Sequence, residues 1–433
     1  MTVVGLDDTD SRDAGMCTTY AAARLAERLR EEGAAVARVC LVRLNPAVEH
    51  KTRGNAALAV HTDAAVDVAF AAARDLVDAH AVVDDPRTNP GVVALGGAPA
   101  SVPGSVAEFA GVAVRDLLSR ERAHETLSGV EAVETRHATW GDGRGVVGAL
   151  AAAGAWRAWD DADLDPTYEH IVYRPRERWG TERDVAHESV FAAADREYPA
   201  VWDTVDHGEN ETVCVPHTPG PVLYGIRGDD PDACRAVADA IDAEPAERAC
   251  TFVTNQGTDA HLREAPIRAV ADDRAYRLDA VVASTPETRR GGHVFLDLGP
   301  PDEGADVTLG CAAFEPTKRF RDRVRALRVG DRLTVCGEVS DGTLKLEKFA
   351  VRALVRTESV TPDCPDCGRS MSSAGRGQGY RCRDCGTSAP GRVERPIERS
   401  LERGWYEVPP CARRHIAKPL VRGGFDAPTH PKR

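Results

Sequence analysis

Apolar and polar positions alternate along the chain in a rhythm that changes twice. The apolar run "TVVGL" has the length of a buried strand, and "TTYAAARLAERLREEG" repeats apolar residues at spacings of three and four up to Gly33, as an amphipathic helix with a glycine stop does. The strand-like runs "VARVCLVRL", "NAALAV" and "GVVAL" then alternate with the helical stretches "AAVDVAFAAARDLVDAH" and "SVAEFAGVAVRDLL". This rhythm predicts an α/β domain over residues 1–130. Residues 131–270 continue with Gly-rich "GDGRGVVGALAAAGAW", the strands "YEHIVYRP", "PVLYGIRG" and "ACTFVTNQGTDAHL", and a helix at "PDACRAVADAIDA". They predict a smaller α+β domain with helices over an antiparallel sheet, its core separate from or shared with the first. From 274 to 355 five short strands follow: "AYRLDAVVASTP", "GHVFLDLG", "DVTLGCAAF", "RLTVCGEVS" and "TLKLEKFAVRAL", with a basic helix, "TKRFRDRVRALRVGD", between the third and fourth. That order is the order of an OB-fold, a small barrel that binds single-stranded nucleic acid.

Composition changes the picture in three ways. The 433 residues are 42% apolar, enough for two to four domains with real cores. No run of about 18 apolar residues and no leader-like segment is present, so a cytoplasmic protein with no membrane partner is expected. Only six of the 55 basic residues are Lys while Asp, Glu and Ala abound, and such acid-rich, Lys-poor surfaces suit a halophile. The charge is also uneven. Net charge is −13, yet Cys364 to Arg433 holds 14 basic and seven acidic residues, a net of +7, leaving −20 for the rest. A basic tail on an acidic body points to a bound polyanion.

Twelve cysteines in such a chain are read as metal ligands and buried thiols, not as a disulfide framework. Cys364-Pro-Asp-Cys367 and Cys382-Arg-Asp-Cys385 are each followed by glycine and lie 14 residues apart. Four thiolates at that spacing close a tetrahedron around Zn²⁺ and stabilise a segment with few apolar residues of its own. A closed Cys₄ site is structural. It makes residues 360–433 a zinc ribbon followed by a basic segment in which Trp405 and Tyr406 mix with Arg413, Arg414, His415 and Lys418.

The candidate chemistry lies at the start, in "GLDDTDSRDAGMCTTY". Asp7, Asp8 and Asp10 sit where a strand hands over to a helix, a place where backbone N–H groups can receive a phosphate. Carboxylates repel a bare phosphate, so the grouping makes sense with Mg²⁺ between them. An acidic turn capping the helix is the alternative.

Together "GLDDTDSRDAGMCTTY", "RLNPAVEHKTRGNAALAV", "TNPGVV", "GRGVVGALAAAG", "PVLYGIRG", "TNQGTDAHL", "GGHVFLDL", "CAAFEPTKRFR" and the zinc ribbon resemble, in order and over almost the whole chain, the archaeal 2-agmatinylcytidine synthetases. The resemblance implies a multidomain α/β and α+β protein: a kinase-like α/β domain, a ferredoxin-like α+β domain, an OB-fold and a zinc ribbon. It implies an ATP-dependent ligase that joins agmatine to C2 of the wobble cytidine in the CAU-anticodon isoleucine tRNA. Reading then moves from AUG to AUA. A C2 carbonyl oxygen leaves poorly until it is phosphorylated, so the site must hold triphosphate, metal and an extruded base together. On this reading Asp7, Asp8 and Asp10 hold Mg²⁺ on ATP, and Thr18 matches the threonine that the family phosphorylates. Lys51 and Arg53, with the loop Gly143, Arg144 and Gly145, are the candidate phosphate contacts. Asp203 and Asp206 are the candidate carboxylates for agmatine, whose guanidinium takes a forked carboxylate. The tRNA falls to the barrel and the tail, with Lys318, Arg319, Arg321, Arg413, Arg414 and Lys418 as contacts. A single-strand binding protein built on the barrel and ribbon, or a synthetase for a different amine, are the competing readings.

Overall fold

The computed structural model describes residues 1–11, 13, 15–48, 54–301 and 307–433. In chain order, the first part comprises β1 (Thr2–Asp7), α1 (Thr18–Glu31), β2 (Val36–Arg43), β3 (Ala56–Thr62), α2 (Val66–His80), β4 (Gly91–Gly96), α3 (Gly104–Ala113), α4 (Arg120–Ser128) and β5 (Thr135–Thr139). It continues with α5 (Gly145–Asp161), β6 (Thr167–Tyr173), α6 (His187–Glu197), β7 (Val201–Trp202), β8 (Val222–Gly228), α7 (Pro231–Ala240) and β9 (Arg248–Thr254). The nine strands form one sheet in the order β5-β4-β1-β3-β2-β9-β6-β8-β7.

The strand–helix rhythm suggests parallel neighbours, yet among the described residues of this sheet only β2 and β9 pair in parallel. The reason is an insertion. Helix α1 links β1 to β2 in parallel orientation, and β3 fills the gap between them, antiparallel to both. The same device recurs around α7, where β6 lies antiparallel between β8 and β9. Successive residues of β1 point to opposite faces. Val4 and Leu6 enter a core with Leu25 and Leu58, while Val3 enters another with Val42, Val106 and Leu150.

The expected boundary at residue 130 therefore falls inside a packed body. Strand β5 pairs with β4, and α5 lies across β1 and β4 with Val146, Ala149 and Leu150 in their core. That contact depends on glycine. A Cβ on Gly5 would lie 1.9 Å from the Ala149 carbonyl oxygen, and one on Gly91 would lie 2.2 Å from the Gly145 backbone.

Five further strands, Arg274–Val282, Val294–Gly299, Leu309–Ala313, Arg332–Ser340 and Thr343–Ala353, pair in a closed circuit as a barrel. The basic helix between the third and fourth is shorter than the sequence suggests, Phe320–Arg325, and it places Phe320 and Val324 in the barrel core. The chain is thus a mixed α/β fold with a five-stranded barrel sheet. It ends in a small three-stranded sheet carrying the four cysteines and an extended C-terminal segment. Within that segment Gly404–Glu407 adds a strand to the barrel by pairing with Thr343–Ala353. Among the described residues no helix is long and apolar enough to cross a membrane.

Candidate active site

Strand β1 ends at Asp7, and the backbone then turns sharply, with Asp8 in the left-handed region at φ 57°, a conformation tolerated best by Gly, Asn and Asp. The turn is fastened by the segment 85–89. Ser11 Oγ donates to Asp85 Oδ2 at 2.7 Å, Thr88 Oγ1 donates to the Asp10 carbonyl at 2.6 Å, and the Asn89 N–H donates to Asp8 Oδ2 at 2.9 Å. Asn89 also holds the start of α5. Its side-chain oxygen accepts the Asp142 N–H at 2.8 Å and its carbonyl accepts the Gly145 N–H at 2.9 Å. One buried residue thus ties the acidic turn to the glycine-rich turn.

The result is a cavity of about 100 Å³ lined by Asp7, Asp8, Asp10, Asp116, Arg144 and Gly145, among others. Helix α5 comes so close that a Cβ on Gly148 would lie 1.9 Å from Asp7 Oδ2. Burial, then the neighbouring Asp8 carboxylate, push Asp7 well above the ordinary carboxylate range. Burial likewise raises Asp8 to about 6, with Asp10 adding to the shift and Arg144 opposing it. Carboxylates crowded in this way are the hard oxygen donors that a divalent cation takes.

Asp10 also lines a second cavity, of about 280 Å³, with Thr18, Arg43, Glu169, Arg227 and His415. Thr18 opens α1, and its hydroxyl accepts a hydrogen bond from Thr9 Oγ1 at 3.1 Å. Cleft chemistry is therefore graded, with carboxylates at one end and guanidinium groups at the other. Arg43, Glu169 and Arg227 were not among the residues expected at the site, although Arg227 is the one charge in the otherwise apolar strand Val222–Gly228. His415 was legible only as part of the basic C-terminal segment, and its position gives no hint that it reaches this cleft.

The other expected residues distribute differently. Lys51 and Arg53 lie outside the described residues. Arg144 and Gly145 line the acidic cavity; Gly143, at φ 80°, shapes the turn before them. Asp203 and Asp206 do not open on the cleft, which corrects their assignment to a ligand pocket. Asp203 is buried against Arg413, and Asp206, fully buried, pairs with Arg319 at 2.8 Å while accepting the Gly208 and Glu209 N–H groups. Arg413 is correspondingly buried, 2.9 Å from Glu407, so it presents no RNA-facing charge. Both expectations fail for one reason: spacing along the chain does not reveal a partner 210 residues away.

Arg414 pairs with Glu338 at 2.7 Å and Glu347 at 3.1 Å. Arg321 donates to the Gly292 carbonyl at 2.6 Å, and half-buried Lys418 lies over Phe425. Lys318 sits at φ 49° at the barrel's helical turn. The thiols of Cys364, Cys367, Cys382 and Cys385 all lie within 4.8 Å of one another, and Cys367 and Cys382 are 3.6 Å apart. Tetrahedral Zn–S bonds of about 2.3 Å place sulfurs about 3.8 Å apart, so these four residues fit zinc.

Family models match three stretches: the TiaS TCKD domain over residues 3–66, the TiaS FLD domain over 143–261 and the TiaS C-terminal zinc ribbon domain over 361–401. The isoleucine-tRNA 2-agmatinylcytidine synthetase TiaS of Haloquadratum walsbyi is 52% identical, with all of both chains covered. That of Methanosarcina mazei is 44% identical over 97% of each chain. Among solved structures, a complex of TiaS with its isoleucine tRNA and ATP superposes with a TM-score of 0.87 at 39% identity, covering 100% of this chain and 99% of that one. A complex of TiaS with the same tRNA, AMPCPP and agmatine gives 0.84 at 37% identity, with 100% and 99% covered. The chain belongs to the TiaS family of isoleucine-tRNA 2-agmatinylcytidine synthetases.

Proposed function

We propose that this protein uses ATP to join agmatine to C2 of the wobble cytidine of the CAU-anticodon isoleucine tRNA. The observation that carries this reading is the meeting of the acidic turn, the α5 turn and Thr18 in one graded cleft, in a chain of this family. A phosphoryl group passes from ATP to the C2 oxygen of the cytosine. The agmatine nitrogen then bonds to C2 and gives up a proton, and the C2–O bond breaks to release phosphate. Asp7, Asp8 and Asp10 would hold Mg²⁺, which supplies charge neutralisation for the phosphates. Arg144 lines the same space and would orient phosphate oxygens through its guanidinium. Asp10, which lines both cavities, would accept the proton of the attacking amine.

In domain terms the first part is kinase-like, the second ferredoxin-like and the barrel an OB-fold. Zinc at Cys364, Cys367, Cys382 and Cys385 holds the ribbon's fold. The ribbon's exposed arginines, with Lys318, Arg321, Arg414 and Lys418, grip the tRNA. Asp203 and Asp206 serve instead to anchor the C-terminal segment.

The test is transfer of radiolabelled agmatine to unmodified CAU-anticodon tRNA in high salt with ATP and Mg²⁺. We expect ATP-dependent label on the wobble cytidine, lost in Asp8→Ala and reduced in Thr18→Ala. Zinc-loaded, folded protein that binds the tRNA yet transfers no label would sink the ligase reading.

A further inference from the structure

The C-terminal segment reaches back into the first part of the molecule. Its course is fixed by buried Arg413, by the Gly257 N–H donating to the His415 carbonyl at 2.8 Å, and by the Thr258 and Asp259 N–H groups donating to the Ile416 carbonyl. This delivers the His415 ring to the cleft, where Arg43 Nη2 approaches His415 Nδ1 at 2.6 Å. A guanidinium can only donate, so Nδ1 must accept and the ring proton resides on Nε2. The ring is crowded by surrounding protein yet open to solvent, and this crowding, then the Arg43 and Arg227 charges, lower its pKa and favour the neutral imidazole. His415 is therefore a fixed N–H donor on the wall of the larger cavity.

Beside it lie two guanidiniums that the described residues do not saturate. Arg227 is about 5% exposed, and among those residues its Nε and Nη1 find no hydrogen-bond partner; Arg43 Nε is likewise unpartnered. Their carboxylate neighbours stand beyond hydrogen-bond distance: Glu169 is 3.9 Å from each and spends its Oε2 on Gln256 Nε2 at 2.5 Å, and Asp203, held by Arg413, is 3.9 Å from Arg227 Nη1. Arg183, on the same wall, is committed to the carbonyls of Val222, Pro216 and Thr218. Unsatisfied buried donors of one sign call for an acceptor. Asp203 is already matched by Arg413, so three guanidiniums stand against Glu169 and Asp10 on this wall; a cationic ligand such as agmatine would be repelled from it, whereas a phosphate monoester would be bound.

Building on the ligase reading, we propose that Arg43, Arg227 and His415 form a phosphoryl-binding wall facing Thr18, with His415 supplied by the C-terminal segment. The ligand is a phosphate monoester dianion or its transferring phosphoryl group, borne either by Thr18 or by the nucleotide substrates.

The full-length, zinc-loaded protein is tested with radiolabelled inorganic phosphate as probe. His415→Ala is expected to weaken phosphate binding about tenfold. His415→Gln, whose amide offers both an acceptor to Arg43 and an N–H to the ligand, should stay within about threefold of wild type. Arg227→Met should weaken binding further, and His415→Ala carries the test if that variant does not fold. Intact mass after incubation with ATP alone separates the sources. A lower phosphorylated fraction in His415→Ala assigns the group to Thr18; an unchanged fraction with reduced agmatine transfer assigns it to the nucleotides. Phosphate binding unaltered in both His415 variants would overturn the wall, and wild-type transfer would then leave the ligase reading standing. Conversely, His415-dependent phosphate binding in a wild type that transfers no agmatine would keep the wall and remove the ligase.

Discussion

Two groups of aspartates behave in opposite ways. Asp7, Asp8 and Asp10 crowd one another with Arg144 as the nearby cation, and burial followed by mutual repulsion raises Asp7 and Asp8. Asp203 and Asp206 are at least as buried, but Arg413 and Arg319 meet them. For Asp206, burial pushes the carboxyl up, yet the bonds from Arg319 and the Cys411 N–H hold it below its ordinary value. An acidic residue in a sequence is thus uninformative until its partner is known. Carboxylates crowded against one another inside a protein mark a place kept for something else; those matched by a cation mark a joint.

The contrast can be broken most sharply at Asp8. Asp8→Asn should lower agmatine transfer by about a thousandfold, the scale of losing a preorganised charge-stabilising group, with thermal stability unchanged or raised, because a repelled charge is gone while the amide oxygen still accepts the Asn89 N–H and Asn tolerates the positive φ. A matching loss of stability would show that the turn is held by Asp8 and not strained by it.

Arg413→Ala should do the reverse. Leaving Asp203 and Glu407 buried without their cation is expected to cost about 3–5 kcal/mol, read as a lower denaturant midpoint at constant slope. A midpoint unmoved in the full-length protein would mean that the joint is dispensable.

A third effect concerns pH without Mg²⁺. Asp8 titrates near 3.8 when unfolded and about 6 when folded, so the folded state holds its proton more tightly. Its favourable contribution is complete below pH 3.8 and is lost as pH rises through about 6. Wild type should therefore lose about 2–3 kcal/mol relative to Asp8→Asn between pH 4 and 7, and millimolar Mg²⁺ should restore it. A parallel pH profile for the two proteins would remove the electrostatic account of the acidic turn.

The smallest effect sharpens the comparison from the other side. Asp203→Asn should change the KM for agmatine by less than about threefold while lowering the melting temperature. A large rise in KM at unchanged stability would return Asp203 to the ligand.

Much of the fold was legible because local pattern decides it. The strand before Asp7, the helix after Thr18, the five barrel strands and the two cysteine pairs are each encoded in fewer than about twenty consecutive residues. What the sequence hid was long-range. The apolar runs of β2 and β9 say that both are buried, not that they pair across the expected domain boundary. Helix α5 is so rich in Gly and Ala that it has almost no polar stripe, and nothing in it names β1 as its seat. The acidic end of the cleft was readable because three aspartates adjoin in sequence. The cationic end was not, because Arg43, Glu169, Arg227 and His415 come from four separate segments.

The reach of the C-terminal segment has a consequence for synthesis. All nine strands of the first sheet have been made once Thr254 is added, and nothing later is needed for their pairing. The acidic turn and Thr18 can be in place while the barrel is still being translated, since earlier parts of a chain fold first. The wall beside Thr18 is completed only after residue 415 is incorporated and Arg43 receives its imidazole. A nascent chain therefore carries its carboxylates and its threonine long before it can close the cleft around them.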